Sequence, residues 1–383
     1  MKRIVFLLLF LSLILLFIFT PRKDNMKNGK VESEIRAVFV SYIDYDSMLR
    51  DKKVEVAKAN IDTTIDNLKK NGFNTIIIQV RAFGDAIYNS SYFPVSSILA
   101  DNYFDVLDYV IEISKSKSLD VYAWINPYRI SNKKDFVIDN DSLYYKNVSN
   151  YDIEFSDSGV YFNPASKNVL DLIINGIKEI VSNYDIDGIL YDDYFYPNKT
   201  IDLNSFKEYQ EVGGTKTLDE YRFDNVNNLI FSTYKAIKEI KKDVLFGISP
   251  AGNIEYDKNE CYLDIEYILD NNLIDFIMPQ LYYGFLNESK PFIDTLDEWV
   301  KINKTNTYLI PAFSMYKSGS IDKYAKGGSK EWINNTDIIA KELIISRTKN
   351  NYKGFSVFRY DNLFNSSNAI MKEESVNLFN LLK

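Results

Sequence analysis

Short apolar runs and longer amphipathic runs alternate eight times between Ile35 and Leu382, and that rhythm leaves few folds open. The spacing predicts strands over 35–42, 75–80, 121–126, 186–191, 244–248, 274–278, 307–313 and 354–358. Helices are expected over 54–70, 104–118, 169–183, 221–241, near Ile265, and over 292–302, 330–350 and 373–382. Strands this apolar are the kind buried on both faces, as in a parallel sheet covered by crossover helices. Eight such units at this length favour a closed (β/α)₈ (TIM) barrel, an α/β fold. A doubly wound open sheet is the runner-up, weakened because no glycine-rich phosphate loop follows any strand.

The connections are unequal. Helix-to-strand links such as 71–74, 119–120 and 184–185 are short, whereas strand-to-helix links over 81–103, 127–168, 192–220, 249–264 and 314–329 are long. In a barrel every long link emerges at the C-terminal face, where active sites form. A wide groove walled by insertions suits a polymer better than a small metabolite.

Histidine is absent and there is a single cysteine, Cys261. This excludes Ser-His-Asp and Cys-His catalysis, imidazole metal sites and intrachain disulfides. Acid–base work near neutral pH then falls to carboxylates, tyrosine or lysine. The net charge of −8, with no basic block, argues against a nucleic-acid partner. The N-terminus begins Met1-Lys2-Arg3 and continues in an apolar run over 4–19, about 24 Å long as a helix. That pattern is an export signal, and residues 1–23 are read as a signal anchor or a signal peptide. Uncleaved, it would tie the protein to the membrane. Residues 24–34 form a polar linker, and 35–383 a single catalytic domain placed outside the cytoplasm.

The strand ends carry the candidate chemistry. The second ends Gln79-Val80-Arg81 and runs on to Asp85; the third ends Trp124-Ile125-Asn126-Pro127-Tyr128-Arg129. The fourth ends Asp192-Asp193-Tyr194-Phe195-Tyr196, the fifth Ser249-Pro250-Ala251-Gly252-Asn253, the sixth Pro279-Gln280-Leu281-Tyr282 and the eighth Arg359-Tyr360-Asp361. All but the fifth place a polar or charged group beside an aromatic, which is what a sugar requires: partners for its hydroxyls and flat rings for its apolar faces.

Five of these segments in order, from Gln79-Val80-Arg81 to Pro279-Gln280-Leu281-Tyr282, resemble the glycosyl-hydrolase-like 10 family of exported bacterial barrels. The resemblance runs from roughly Ile35 to Asp361. It implies a (β/α)₈ barrel and a glycosidase acting on the glycan of the cell wall, some members cleaving peptidoglycan strands that lack peptide stems. Family members often end in a β-sandwich, for which this chain stops too soon, so no separate C-terminal domain is expected. At Tyr283, where the family frequently has Trp, the sequence departs from the pattern.

Glycosidases of this type need two carboxyl groups. Asp192 and Asp193, as strand neighbours, point to opposite faces, so one of them faces the axis. Tyr191 fits better against the outer helices, which favours Asp192 inward and leaves Asp193 in play where the pleat ends. Asp85 is the first choice for the second carboxyl, with Asp361 and Glu255 in reserve. Arg81, Arg129 and Arg359 would hold an aspartate ionised or grip a substrate carboxylate. Trp124, Tyr128, Tyr194, Tyr196 and Tyr282 would stack on sugar rings, and Gln79, Asn126, Ser249, Asn253 and Gln280 would bond hydroxyl or acetamido groups. No metal or cofactor is required. Two rivals stand beside this reading: a barrel that binds cell-wall glycan without cutting it, and a sugar-phosphate enzyme using Gly327-Gly328-Ser329.

Overall fold

A computed structural model describes residues 33–99, 102–139, 141–192 and 195–383. The apolar run over 4–19 lies outside the described residues. Among those described, no helix is long and apolar enough to cross a membrane.

The eight expected strands are present: β1 Ile35–Val40, β2 Thr75–Arg81, β3 Asp120–Ile125, β4 Gly188–Tyr191, β5 Leu245–Ile248, β6 Phe276–Ile277, β7 in two pieces, Tyr308–Leu309 and Ala312–Ser314, and β8 Gly354–Phe358. All neighbours pair in parallel, in the order first piece of β7, β6, β5, β4, β3, β2, β1, β8, second piece of β7. Both ends of the sheet therefore fall on one strand, and the sheet closes on itself. The expected continuous run over 307–313 is broken at Pro311, which has no N–H to give a ladder. Its carbonyl still accepts from Ser356 N at 2.9 Å, and Ile310 N and Ala312 N donate to Ile277 O and Pro279 O at 2.9 Å each. The helix expected over 330–350 is also divided, into Glu331–Asn334 and Ile338–Ser346. Glu374 takes the first N–H groups of the second piece, from Ile338 at 3.1 Å and Ile339 at 2.7 Å. The helix expected over 54–70 forms as Val54–Lys70.

Alternation along the strands sorts the core into two layers. Ala37, Phe39, Ile77, Tyr122, Trp124, Leu190, Phe276, Met278, Ile310 and Ala312 fill the barrel, while Val38, Val40, Ile76, Ile78, Ile189 and Tyr191 face the helices. Inside, Tyr122 and Phe276 lie 5.3 Å apart across the lower barrel. Two glycines make room for them. A Cβ at Gly188 would stand 3.0 Å from the Tyr122 ring, and one at Gly247 would stand 2.2 Å from Phe276.

At the same end, polar side chains just ahead of a strand lock its register to the preceding one. Asn74 Oδ1 accepts from Arg36 N at 2.8 Å, Asp187 Oδ2 from Val121 N at 2.8 Å and Asp275 Oδ2 from Phe246 N at 2.9 Å. The long β3 connection folds into its own antiparallel sheet, with Gly159–Phe162 between Arg129–Ser131 and Ile153–Ser156.

Candidate active site

Leu190 faces the barrel interior and Tyr191 the helices, where its hydroxyl lies 3.0 Å from Thr233 Oγ1. Asp192 continues the alternation inward and is only 4% exposed. Its Oδ2 accepts from Trp124 Nε1 at 3.1 Å and from Asn126 Nδ2 at 2.6 Å, both from the end of β3.

That geometry has a fixed direction, set two strands away. Tyr42 N–H donates to Gln79 Oε1 at 2.9 Å. Gln79 must therefore turn its Nε2 to Asn126, whose Oδ1 accepts at 2.5 Å. Asn126 in turn has only its Nδ2 to offer Asp192. The ends of β1, β2, β3 and β4 are linked by one relay of amides that delivers N–H groups to a single carboxylate oxygen. Gln79 and Asn126 are each 1% exposed, so a reversed amide there would leave buried groups unmatched.

Asp85 sits in the β2 connection, where burial raises its carboxyl above the ordinary value of 3.8 while the Ser96 hydroxyl, Arg129 and Arg81 pull it back. Arg129 Nε donates to Ala82 O at 2.9 Å. Its guanidinium lies 4.8 Å from the Phe83 ring and 5.5 Å from the Tyr42 ring.

Several expected site residues are employed elsewhere. Arg81 does not reach the mouth. The ladder slips between Gln79, opposite Trp124, and Arg81, opposite Ile125. This bulge leaves two consecutive residues on the outer side. The Arg81 guanidinium is therefore packed 3.9 Å from the Phe93 ring and against Gly176 of helix Lys167–Asn183, and its burial lowers its pKa. Tyr128 is buried in the outer core, with its hydroxyl pKa pushed up by burial. Tyr196 bonds Asp202, which is clamped by Arg222 through Nε at 2.9 Å and Nη2 at 2.6 Å. These residues brace the chain after Asp192 rather than offer a ring to a ligand.

Ser249 Oγ donates to Met278 O at 2.8 Å, and Asn253 caps helix Ile254–Cys261 through Glu255 N at 3.2 Å. Gln280 is half-buried and donates from Nε2 to Ser249 O at 3.2 Å. Tyr282 is half-buried, its ring 6.0 Å from Phe358. Of the reserves, Asp361 accepts from Asn365 Nδ2 at 2.7 Å, and Glu255 is exposed. Asp193 and Tyr194 lie outside the described residues.

One carboxylate at the mouth was not anticipated. Asp44, beyond β1, is fully buried; its Oδ2 accepts from Ser41 N at 2.7 Å and Ser41 Oγ at 2.8 Å. Its Oδ1 pairs with Arg359 and accepts from Asp361 N at 2.9 Å, joining the ends of β1 and β8. Burial raises its pKa and Arg359 opposes that shift. The Ser41-x-x-Asp44 spacing, a capping pattern, was the available signal.

The sequence profile of the family described as Glycosyl hydrolase-like 10 matches residues 34–326. The chain belongs to that family. The enzyme class that goes with it is glycoside hydrolase, and the fold expected from the resemblance is the one observed. Glycosyl hydrolase YngK of Bacillus subtilis (strain 168) is 30% identical over 72% of this chain, which spans 59% of YngK. Glycosyl hydrolase DigH of Escherichia coli O6:H1 is 30% identical over 78% of this chain and 74% of its own length. Among solved structures, α-L-fucosidase isoenzyme 2 from Paenibacillus thiaminolyticus superposes with a TM-score of 0.60 over 91% of this chain and 49% of that one, at 16% identity. At that identity the likeness concerns the fold alone.

Proposed function

We propose that this chain is an extracytoplasmic hydrolase of peptidoglycan glycan strands, working through carboxylates. The observation that carries the reading is Asp192 at the mouth of the barrel, with Trp124 Nε1 and Asn126 Nδ2 on one of its oxygens. In this reading Asp192 is the ionised partner, acting as nucleophile or as base for water. Asp85, whose pKa burial raises, keeps its proton longer and is the general acid. The charge of the buried Arg129 tempers that shift. Long loops around the mouth supply the width a polymer needs, and the basic and apolar N-terminus supports export, with the membrane as anchor where that segment is retained.

The test is incubation of the purified protein with peptide-free glycan strands, counting new reducing ends over time. Steady release of ends is expected. Tight binding with no new ends would replace the hydrolytic reading with that of a glycan-binding barrel. A reporter enzyme active only outside the cytoplasm, fused after Lys383, is expected to be active; a silent but stable fusion would overturn the location.

A further inference from the structure

From Trp124, the donor to Asp192, a continuous line of aromatic rings leads out of the barrel. Trp124 and Phe358 lie 6.4 Å apart, Phe358 and Tyr282 6.0 Å, Phe358 and Tyr316 6.2 Å, and Tyr282 and Tyr316 5.9 Å. These residues come from the C-terminal ends of β3, β6, β7 and β8, so the line occupies one side of the mouth. Exposure rises along it: Trp124 is 6% exposed, Phe358 and Tyr282 are half-buried, and Tyr316 is 41% exposed. Tyr316 stands at 87–88° to the other two rings, which are tilted only 33° from each other. The result is an aromatic corner.

The loop that presents Tyr316 is braced. Lys317 pairs with the buried Asp322 at 2.7 Å, Gly319 N donates to Trp332 O at 2.7 Å and Asp322 N to Ser329 O at 2.9 Å. A large ring held rigidly at a cleft edge, with two-fifths of its surface open, loses little freedom when a flat apolar partner settles on it.

We infer that Tyr316, with Tyr282 and Phe358, forms a separate sugar-binding subsite, where a pyranose ring of the same glycan stacks while a neighbouring unit lies at Asp192. The inference rests on the functional reading above for the identity of the glycan. It adds a specificity-determining residue, Tyr316, that neither the motifs nor the family resemblance singles out.

The test is calorimetry of peptide-free glycan strands of graded length, using the full chain carrying Asp192→Asn so that strands stay intact. Adding Tyr316→Ala is expected to weaken binding of long strands by about 5- to 10-fold and of the shortest much less. Tyr316→Phe is expected to stay within about twofold, because the ring and not the hydroxyl makes the contact. Equal affinity for Tyr316→Ala at every length would overturn the subsite, as would an equal loss for Tyr316→Phe or no binding by the Asp192→Asn parent. The length-dependent pattern in a protein whose unsubstituted form never releases reducing ends would uphold the subsite and reject the hydrolytic reading.

Discussion

Replacing Gln79 by glutamate tests whether the amide relay, and not merely its last member, sets the state of Asp192. The substitution changes one N–H₂ into an oxygen. Tyr42 N–H still finds an acceptor at position 79, but Asn126 Oδ1 then faces an acceptor in place of its donor. Asn126 is driven to flip, which aims its Oδ1 at the Asp192 carboxylate and removes the 2.6 Å bond. A hydrogen bond to a charged group contributes about 1.5–3 kcal/mol. Loss of that bond in the transition state corresponds to about a 10- to 150-fold fall in kcat/KM. The assay is reducing-end release across pH, with thermal unfolding as a check on the fold. The variant is also expected to recover activity as pH falls. Once protonated, the introduced carboxyl regains a donor toward Asn126, and burial favours that protonated form. A Gln79→Glu protein whose kcat/KM follows that of the unsubstituted protein over the whole pH range, including where the introduced carboxyl is ionised, would refute the directional relay.

Asp85→Asn is expected to lower turnover about 100- to 10,000-fold and to abolish the alkaline limb of the rate profile, which the raised pKa of Asp85 is expected to set. An unchanged alkaline limb would remove Asp85 from the mechanism. Arg222→Met would leave Asp202 buried without its cation, at a cost of about 3–5 kcal/mol, read as a lower Tm. Unchanged stability there would show that the clamp after Asp192 is dispensable. Glu342 is fully buried and, among the described residues, neither of its carboxyl oxygens has a hydrogen-bond partner. Burial first, and then Glu374 and Glu331, raise its pKa well above 4.5. Stability is then fullest below 4.5 and declines as pH rises toward the folded value. Glu342→Met is accordingly expected to stabilise the protein by about 1–3 kcal/mol at pH 8 and less at pH 5, and a loss at pH 8 would contradict this.

The barrel was legible because its signals are local and repeated: apolar strands, amphipathic helices and the unequal loops between them. The inward turn of Asp192 was readable for the same reason, since strict alternation places it on the side of Leu190 and opposite Tyr191. Arg81 shows where that reasoning fails. Counting by twos from Gln79 puts it inside, and a bulge between them, with no mark in the sequence, puts it outside. Tyr128 and Tyr196 resembled ligand platforms because tyrosine at a strand end fits a sugar cleft. The long connections instead fold back on the barrel and consume these rings in their own packing, as with the Tyr196–Asp202–Arg222 clamp. Asp44 and Tyr316 belong to the mouth only through closure of the sheet, which brings the ends of β1, β7 and β8 together.

The most direct check is a paired measurement on Asp192→Asn: affinity for peptide-free glycan strands, and the rate at which new reducing ends appear. The account predicts binding within a few-fold of the unsubstituted protein and cleavage reduced by at least about 100-fold. Cleavage at the unsubstituted rate would contradict it, because the carboxylate to which four strand ends are wired would then take no part in breaking the bond.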